Sequence, residues 1–327
     1  MKTLLASTRQ APDPSPAHSE RQVLPFTTEE PSPSIMKIMT IYAHPADTIT
    51  NCGGTLARHA EQGDEVVALI LTHGGRIHPN RYAEEWRKDS PDSTIVNSGL
   101  VDIVANKKRE LERAADIIGI GKLITLDLDD AMTALREDVV DMVAEQVASE
   151  QPDVVICDYP HNPVFTGNSH TVATMIALGG LARAGTFLKN LDGRSEVNVK
   201  QVFFTSLPVA ASDGLSLYGV RNDLFIDITP VVGKKIAAMD CFDSQGYAGL
   251  FARKLIESNN GEFGRAAGVN FAEAYCRMNN ETHATLPVTE TAMKADMLTR
   301  HLAYSEIDLR GSYPVAGHER APATGAV

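Results

Sequence analysis

The sequence predicts an α/β fold: a Rossmann-like, mostly parallel sheet with helices on both faces. Three observations predict it. Short, nearly all-apolar, β-branched runs recur along the chain (KIMTIY, EVVALIL, DVVIC). Segments with helical spacing separate them. The runs do not alternate polar with apolar, as strands buried on both faces should not.

Taken in order, residues 37–42 are the first strand and residues 54–62 a helix. Residues 65–71 form a buried strand. Residues 107–118 have helical spacing, with Leu111, Ala114, Ala115 and Ile118 on one face. A strand over 123–126, a helix over 134–150 and a strand over 153–157 follow. Residues 170–184 are an apolar helix, 201–206 and 224–228 are strands, and 231–243 is a helix. No internal repeat is present.

The flanks differ in composition. Residues 1–35 hold six of the 17 prolines, with Ser, Thr and Glu between them. Such a segment buries too little apolar area to offset its ordering entropy, so it reads as a flexible tail or an arm along a neighbouring subunit. Residues 311–327 read as a second flexible tail, leaving a domain over 36–310.

Of 327 residues, 30 are Lys or Arg and 42 Asp or Glu, so the net charge is 30 − 42 = −12. This argues against nucleic-acid partners, which need clustered cations. No apolar run approaches the roughly 18–20 residues of a membrane span. Cys52, Cys157, Cys241 and Cys276 are scattered and form no CxxC pair. With an N-terminal apolar stretch too short for a signal peptide, they point to a reducing, cytoplasmic setting.

In parallel sheets, ligands sit beyond the carboxyl ends of the strands. Two loops qualify. After the first strand comes His44-Pro45-Ala46-Asp47, then Gly53-Gly54. Imidazole and carboxylate three residues apart suit Zn²⁺, and the glycines would let backbone approach the site. The pattern is short, and a helix-capping Asp beside a surface His would read the same. After the strand at 153–157 come Asp158, Tyr159, His161, Asn168 and His170. His170 would meet His44 and Asp47 at one sheet edge, giving two His and one Asp with open positions, a catalytic-type site. The strand at 65–71 ends in His73-Gly74-Gly75-Arg76, where Arg76 is a candidate carboxylate clamp. Phosphate-loop and GxSxG patterns are absent.

These motifs resemble the LmbE/PIG-L metal-dependent deacetylase family. AHPADTITNCGGTL is similar to its opening AHPDDE and GGTL. GNSH is similar to its HPDH, and the runs LFIDITPVVGKKIAAMDCFDSQ and GVNFAEAY to its C-terminal region. The resemblance spans about residues 36–280 and implies an LmbE-like sheet with one zinc held by His44, Asp47 and His170. Three departures stand out: Ala46 replaces the aspartate that usually serves as general base, Thr48 the following glutamate, and Gly167 the first His of HPDH. His161, Asp158, Tyr159 and His73 are the loop residues available instead. The zinc-dependent 4-oxalomesaconate hydratases are similar in carrying Ala before the ligand Asp, in an arginine matching Arg76 and in Trp86 beyond it. They differ in having acidic residues where Gly75 and His78 stand here.

The resemblance therefore implies a zinc enzyme that activates water. The first expectation is a hydratase or lyase of a small unsaturated carboxylate, with His161 and Asp158 catalytic and Arg76, His73, Tyr159 and Asn168 binding substrate. The alternatives are an N-acyl hydrolase and a degenerate metal- or ligand-binding homologue. A homo-oligomer is expected, and segments 212–222 and 259–271 are candidates to close over the site.

Overall fold

The computed structural model describes residues 35–76, 85–131, 134–161, 168–185, 197–205, 221–289 and 292–293. The two terminal segments, residues 206–220, His78 and Gly167 lie outside them. The strands are β1 (Lys37–Tyr42), β2 (Glu65–Thr72), β3 (Lys122–Leu128), β4 (Val154–Asp158), β5 (Gln201–Thr205), β6 (Leu224–Asp227) and β7 (Ala272–Arg277). They form one sheet in the order β3-β2-β1-β4-β5-β7-β6. The first five are parallel. β7 runs antiparallel between β5 and β6, so the sheet is mixed at one edge.

Helices α1 (Asp47–Gln62), α2 (Leu100–Ile118) and α5 (Val232–Met239) share one buried core with Ile38, Tyr42, Val66, Ala68 and Ile70. The other face of the same strands, with Met39, Ile41, Val67, Leu69 and Leu71, packs on α3 (Glu137–Glu150) and α4 (Ser169–Arg183). Period-2 alternation thus feeds two layers, which is why these strands are apolar throughout.

Three segments differ from the sequence reading. α1 begins at Asp47, before the two glycines, instead of at Gly54. α2 begins at Leu100 and so gains two turns. After α5 come α6 (Leu250–Leu255), a π-helical turn (Ile256–Asn260) and α7 (Gly261–Ala267). Asn260 Nδ2 donates to Ala272 O at 2.9 Å, which ties this segment, the sequence's candidate to close over the site, to β7.

The chain turns from β1 to β2 and β3 on one side, and to β4 and β5 on the other. β1 and β4 therefore flank the topological switch point, where a crevice opens beyond the carboxyl ends of the strands.

Candidate metal centre

His44 and Asp47 come from the short turn between β1 and α1. The turn closes on itself: Asp47 N donates to His44 O at 3.2 Å, and His44 N donates to Asp47 Oδ2 at 2.8 Å. Thr72 holds it from β2, its N and Oγ1 both donating to Ala43 O. His44 Nδ1 is then 3.2 Å from Asp47 Oδ2, with both side chains buried.

His170 arrives from the other side of the switch point, in the first turn of α4. Asn168 caps that helix, its Oδ1 accepting from His170 N at 2.8 Å. His170 Nδ1 lies 3.0 Å from Asp158 Oδ2 and 3.4 Å from Asp47 Oδ2. The two imidazoles meet edge to face, with centroids 4.9 Å apart. Ser169 Oγ is 3.4 Å from His44 Nε2. His44, Asp47 and His170 each offer a ligand atom within 4.8 Å of the others'. Two buried imidazoles and a carboxylate form a donor set that suits a divalent cation with N and O preference.

The electrostatics agree. Burial works against a proton on His170, but the Asp47 and Asp158 carboxylates outweigh it and push the imidazole up to about 9. Burial also raises Asp158, although His170 pulls it back. The pocket thus draws positive charge to His170.

The remaining candidates from the sequence separate. Asp158 does not face the open site as a base would. It is buried, Oδ2 on His170, with Asn51 Nδ2 (2.9 Å) and Thr205 Oγ1 (3.1 Å) donating to Oδ1. A carboxylate behind a ligand histidine fixes its tautomer and orientation. Asn168 uses its Oδ1 to cap α4. Tyr159 packs edge to face on Phe204, at the margin of the second core. Arg76 is half-exposed, and its Nε donates to both oxygens of Asp129 at 2.9 and 2.8 Å. His73 Nδ1 sits 3.0 Å from buried Asp130 Oδ1. His161 is exposed, and Trp86 is 67% exposed. Ala46 and Thr48 are buried in the core, Thr48 Oγ1 lying 3.2 Å from Thr40 Oγ1. Gly54 approaches Ile228, not the metal site.

Several residues here carried no sequence signal. Lys107 on α2 is fully buried; desolvation lowers its ammonium to about 8, against the pull of Glu110, Asp130 and Asp47. Tyr247 is pushed up to about 12 by burial and by Asp47. Asn51 and Thr205 hold Asp158. All four come from separate stretches of the chain and converge only in space.

The pattern of the PIG-L family (GlcNAc-PI de-N-acetylase) matches residues 39–178, which carry all three candidate ligands. Residues 39–178 form a PIG-L family domain. The chain is 25% identical over 228 residues to a diacetylchitobiose deacetylase of Thermococcus kodakarensis, covering 68% of this chain and 74% of the relative. It is 24% identical over 236 residues to a 4-oxalmesaconate hydratase of Pseudomonas putida, covering 72% and 83%. Its fold is similar to the crystal structure of the 4-carboxy-2-hydroxymuconate hydratase of Pseudomonas putida, with a TM-score of 0.61 and 22% identity over 77% of this chain and all of that one. It is also similar to the N,N'-diacetylchitobiose deacetylase of Pyrococcus horikoshii, with a TM-score of 0.59 and 20% identity over 74% and 84%. The proteins it resembles thus include both hydratases and deacetylases. Among the described residues, no helix is long and apolar enough to cross a membrane.

Proposed function

We propose that this PIG-L family protein is a zinc enzyme that activates water, most specifically a hydratase or lyase of a small unsaturated carboxylate. The observation that carries the choice is Ala46. It stands directly before the ligand Asp47 and is 1% exposed, so no carboxylate flanks the metal site from that position. Amide hydrolysis needs a base for water and a proton for the leaving amine. Hydration of a C=C bond has no leaving amine.

Held by His44, Asp47 and His170, zinc would lower the pKa of bound water from about 15.7 towards about 7. Asp158 keeps His170 aimed. Proton transfer falls to the loop histidines His73, braced by Asp130, and His161. A substrate carboxylate is met by Arg76, whose guanidinium has further donors besides the Nε that Asp129 engages.

The second reading is hydrolysis of an N-acyl group, favoured by the 25% identity to a diacetylchitobiose deacetylase. The deciding experiment begins with metal content of the wild type beside Asp47→Ala and His170→Ala. About one zinc per chain, lost in both variants, is expected. Loss of the ultraviolet absorbance of an unsaturated keto-diacid then supports the hydratase. Acetate release from diacetylchitobiose supports the hydrolase instead. A wild type that takes up no zinc overturns both.

A further inference from the structure

Lys235 and Glu273 lie far apart in sequence, on α5 and β7. The fold buries both side chains, to 0% and 1% exposure, with Nζ 2.6 Å from Oε1. Together they clasp one turn of α1. Lys235 Nζ donates to Thr50 O at 2.8 Å. Gly54 N donates to Glu273 Oε1 at 2.9 Å, and Thr55 N to Oε2 at 2.7 Å. Tyr275 closes the cluster, its hydroxyl 2.6 Å from Thr55 Oγ1 and 3.2 Å from Glu273 Oε2.

Thr50 O and Gly54 N are each other's partners in a regular i→i+4 ladder. The ion pair therefore reaches a rung of the helix from outside. The same turn is packed closely on its other neighbour, since a Cβ on Gly54 would fall 2.7 Å from Ile228 Cγ2.

A buried ion pair is a poor stabiliser, because desolvation cancels most of its attraction, and apolar replacements are often neutral or better. The location gives it a different role. The clasped turn lies between the two arms of the metal centre. Asp47 is three residues before Thr50. Asn51, next to Thr50, donates to Asp158, and Asp158 holds His170.

We propose that Lys235 and Glu273 are positioning residues that lock this turn of α1, and through it place Asp47 directly and His170 through Asn51 and Asp158. The proposal rests on the metal centre argued above.

The test uses the full-length chain, stripped of metal and titrated with Zn²⁺ against a chromophoric chelator. The visible spectrum of the Co²⁺ form reports ligand geometry, and thermal unfolding of the metal-free form reports stability. The variants are Lys235→Met with Glu273→Met, and Glu273→Gln alone. The double variant is expected to melt within about 5 °C of the wild type. Its Zn²⁺ affinity is expected to fall about 10–100-fold, as for other supports of a metal ligand, with a changed Co²⁺ spectrum. A folded double variant with wild-type affinity and spectrum overturns the proposal. If the double variant does not fold, Glu273→Gln decides on the same two readouts: weaker Zn²⁺ binding with a changed spectrum supports it, and wild-type values overturn it. A wild type that binds no Zn²⁺ instead removes the metal centre itself, a failure distinct from that of the clasp.

Discussion

Asp158 Oδ2 lies 3.0 Å from His170 Nδ1, while Asn51 and Thr205 occupy its other oxygen. The carboxylate is thus fixed before it fixes the histidine. Asp158→Asn keeps the shape but removes the charge, so zinc affinity should fall about 10–100-fold. Chelator competition measures it. Unchanged affinity with unchanged stability would show that Asp158 does not support the ligand.

Metal removal should make stability depend on pH. In the metal-free protein, His170 titrates near 9, against an ordinary value of 6.5. A raised folded pKa stabilises fully below pH 6.5, and this contribution is lost as pH rises through about 9. The contribution is on the order of 3 kcal/mol. Melting of the chelated protein should therefore fall between pH 7 and pH 9.5, and that of the zinc-loaded protein much less. A chelated protein with a flat profile would contradict the reading of His170.

Ala46→Asp restores the acidic residue of the deacetylase motif. Ala46 is buried among apolar neighbours in the core, so the new carboxylate should cost about 1–3 kcal/mol unless it finds a partner. Under the hydratase reading, hydration slows and acetate release does not appear. A gain in acetate release would favour the N-acyl hydrolase.

Arg76→Ala should raise KM for a dicarboxylate about tenfold or more while leaving kcat largely unchanged, as loss of one charged hydrogen bond predicts. Steady-state kinetics separates the two. A fall in kcat alone would place Arg76 elsewhere in the mechanism.

Gly54→Ala should destabilise the protein by about 1–3 kcal/mol, because the new methyl meets Ile228 at 2.7 Å in a packed core. Pairing it with Ile228→Ala should recover part of the loss. Melting temperatures of the two variants check this, and a fully tolerated Gly54→Ala would refute the close packing.

The ligand triad is legible in the sequence because each member sits just past an apolar strand or at a helix start, and parallel sheets gather those points at one edge. His44, Asp47 and His170 meet there. The start of α1 is less legible. Gly53 and Gly54 read as points where backbone approaches the site, and glycine inside a helix costs about 1 kcal/mol. In the fold, the missing Cβ of Gly54 lets Ile228 pack against the helix backbone, a gain no local pattern records. β7, read as AEAYCR, carries little strand signal: Ala and Glu favour helices, and the burial of Glu273 depends on Lys235 from α5.

The roles behind the ligands follow the same division. Local chemistry names donors, because imidazole and carboxylate spacing is written in consecutive residues. It cannot name what lies behind them. Asp158 reads as a catalytic candidate, and the fold sets its Oδ2 against His170; Asn168 reads as a substrate contact, and its Oδ1 caps α4. Lys107 and Lys235 are fully buried, which no local pattern announces. Alternation, apolar runs and ligand types are properties of neighbouring residues, so the sequence alone determines the layered fold and the donor set. Burial, tautomer and hydrogen-bond order depend on groups brought together across hundreds of residues, and only the tertiary structure decides them.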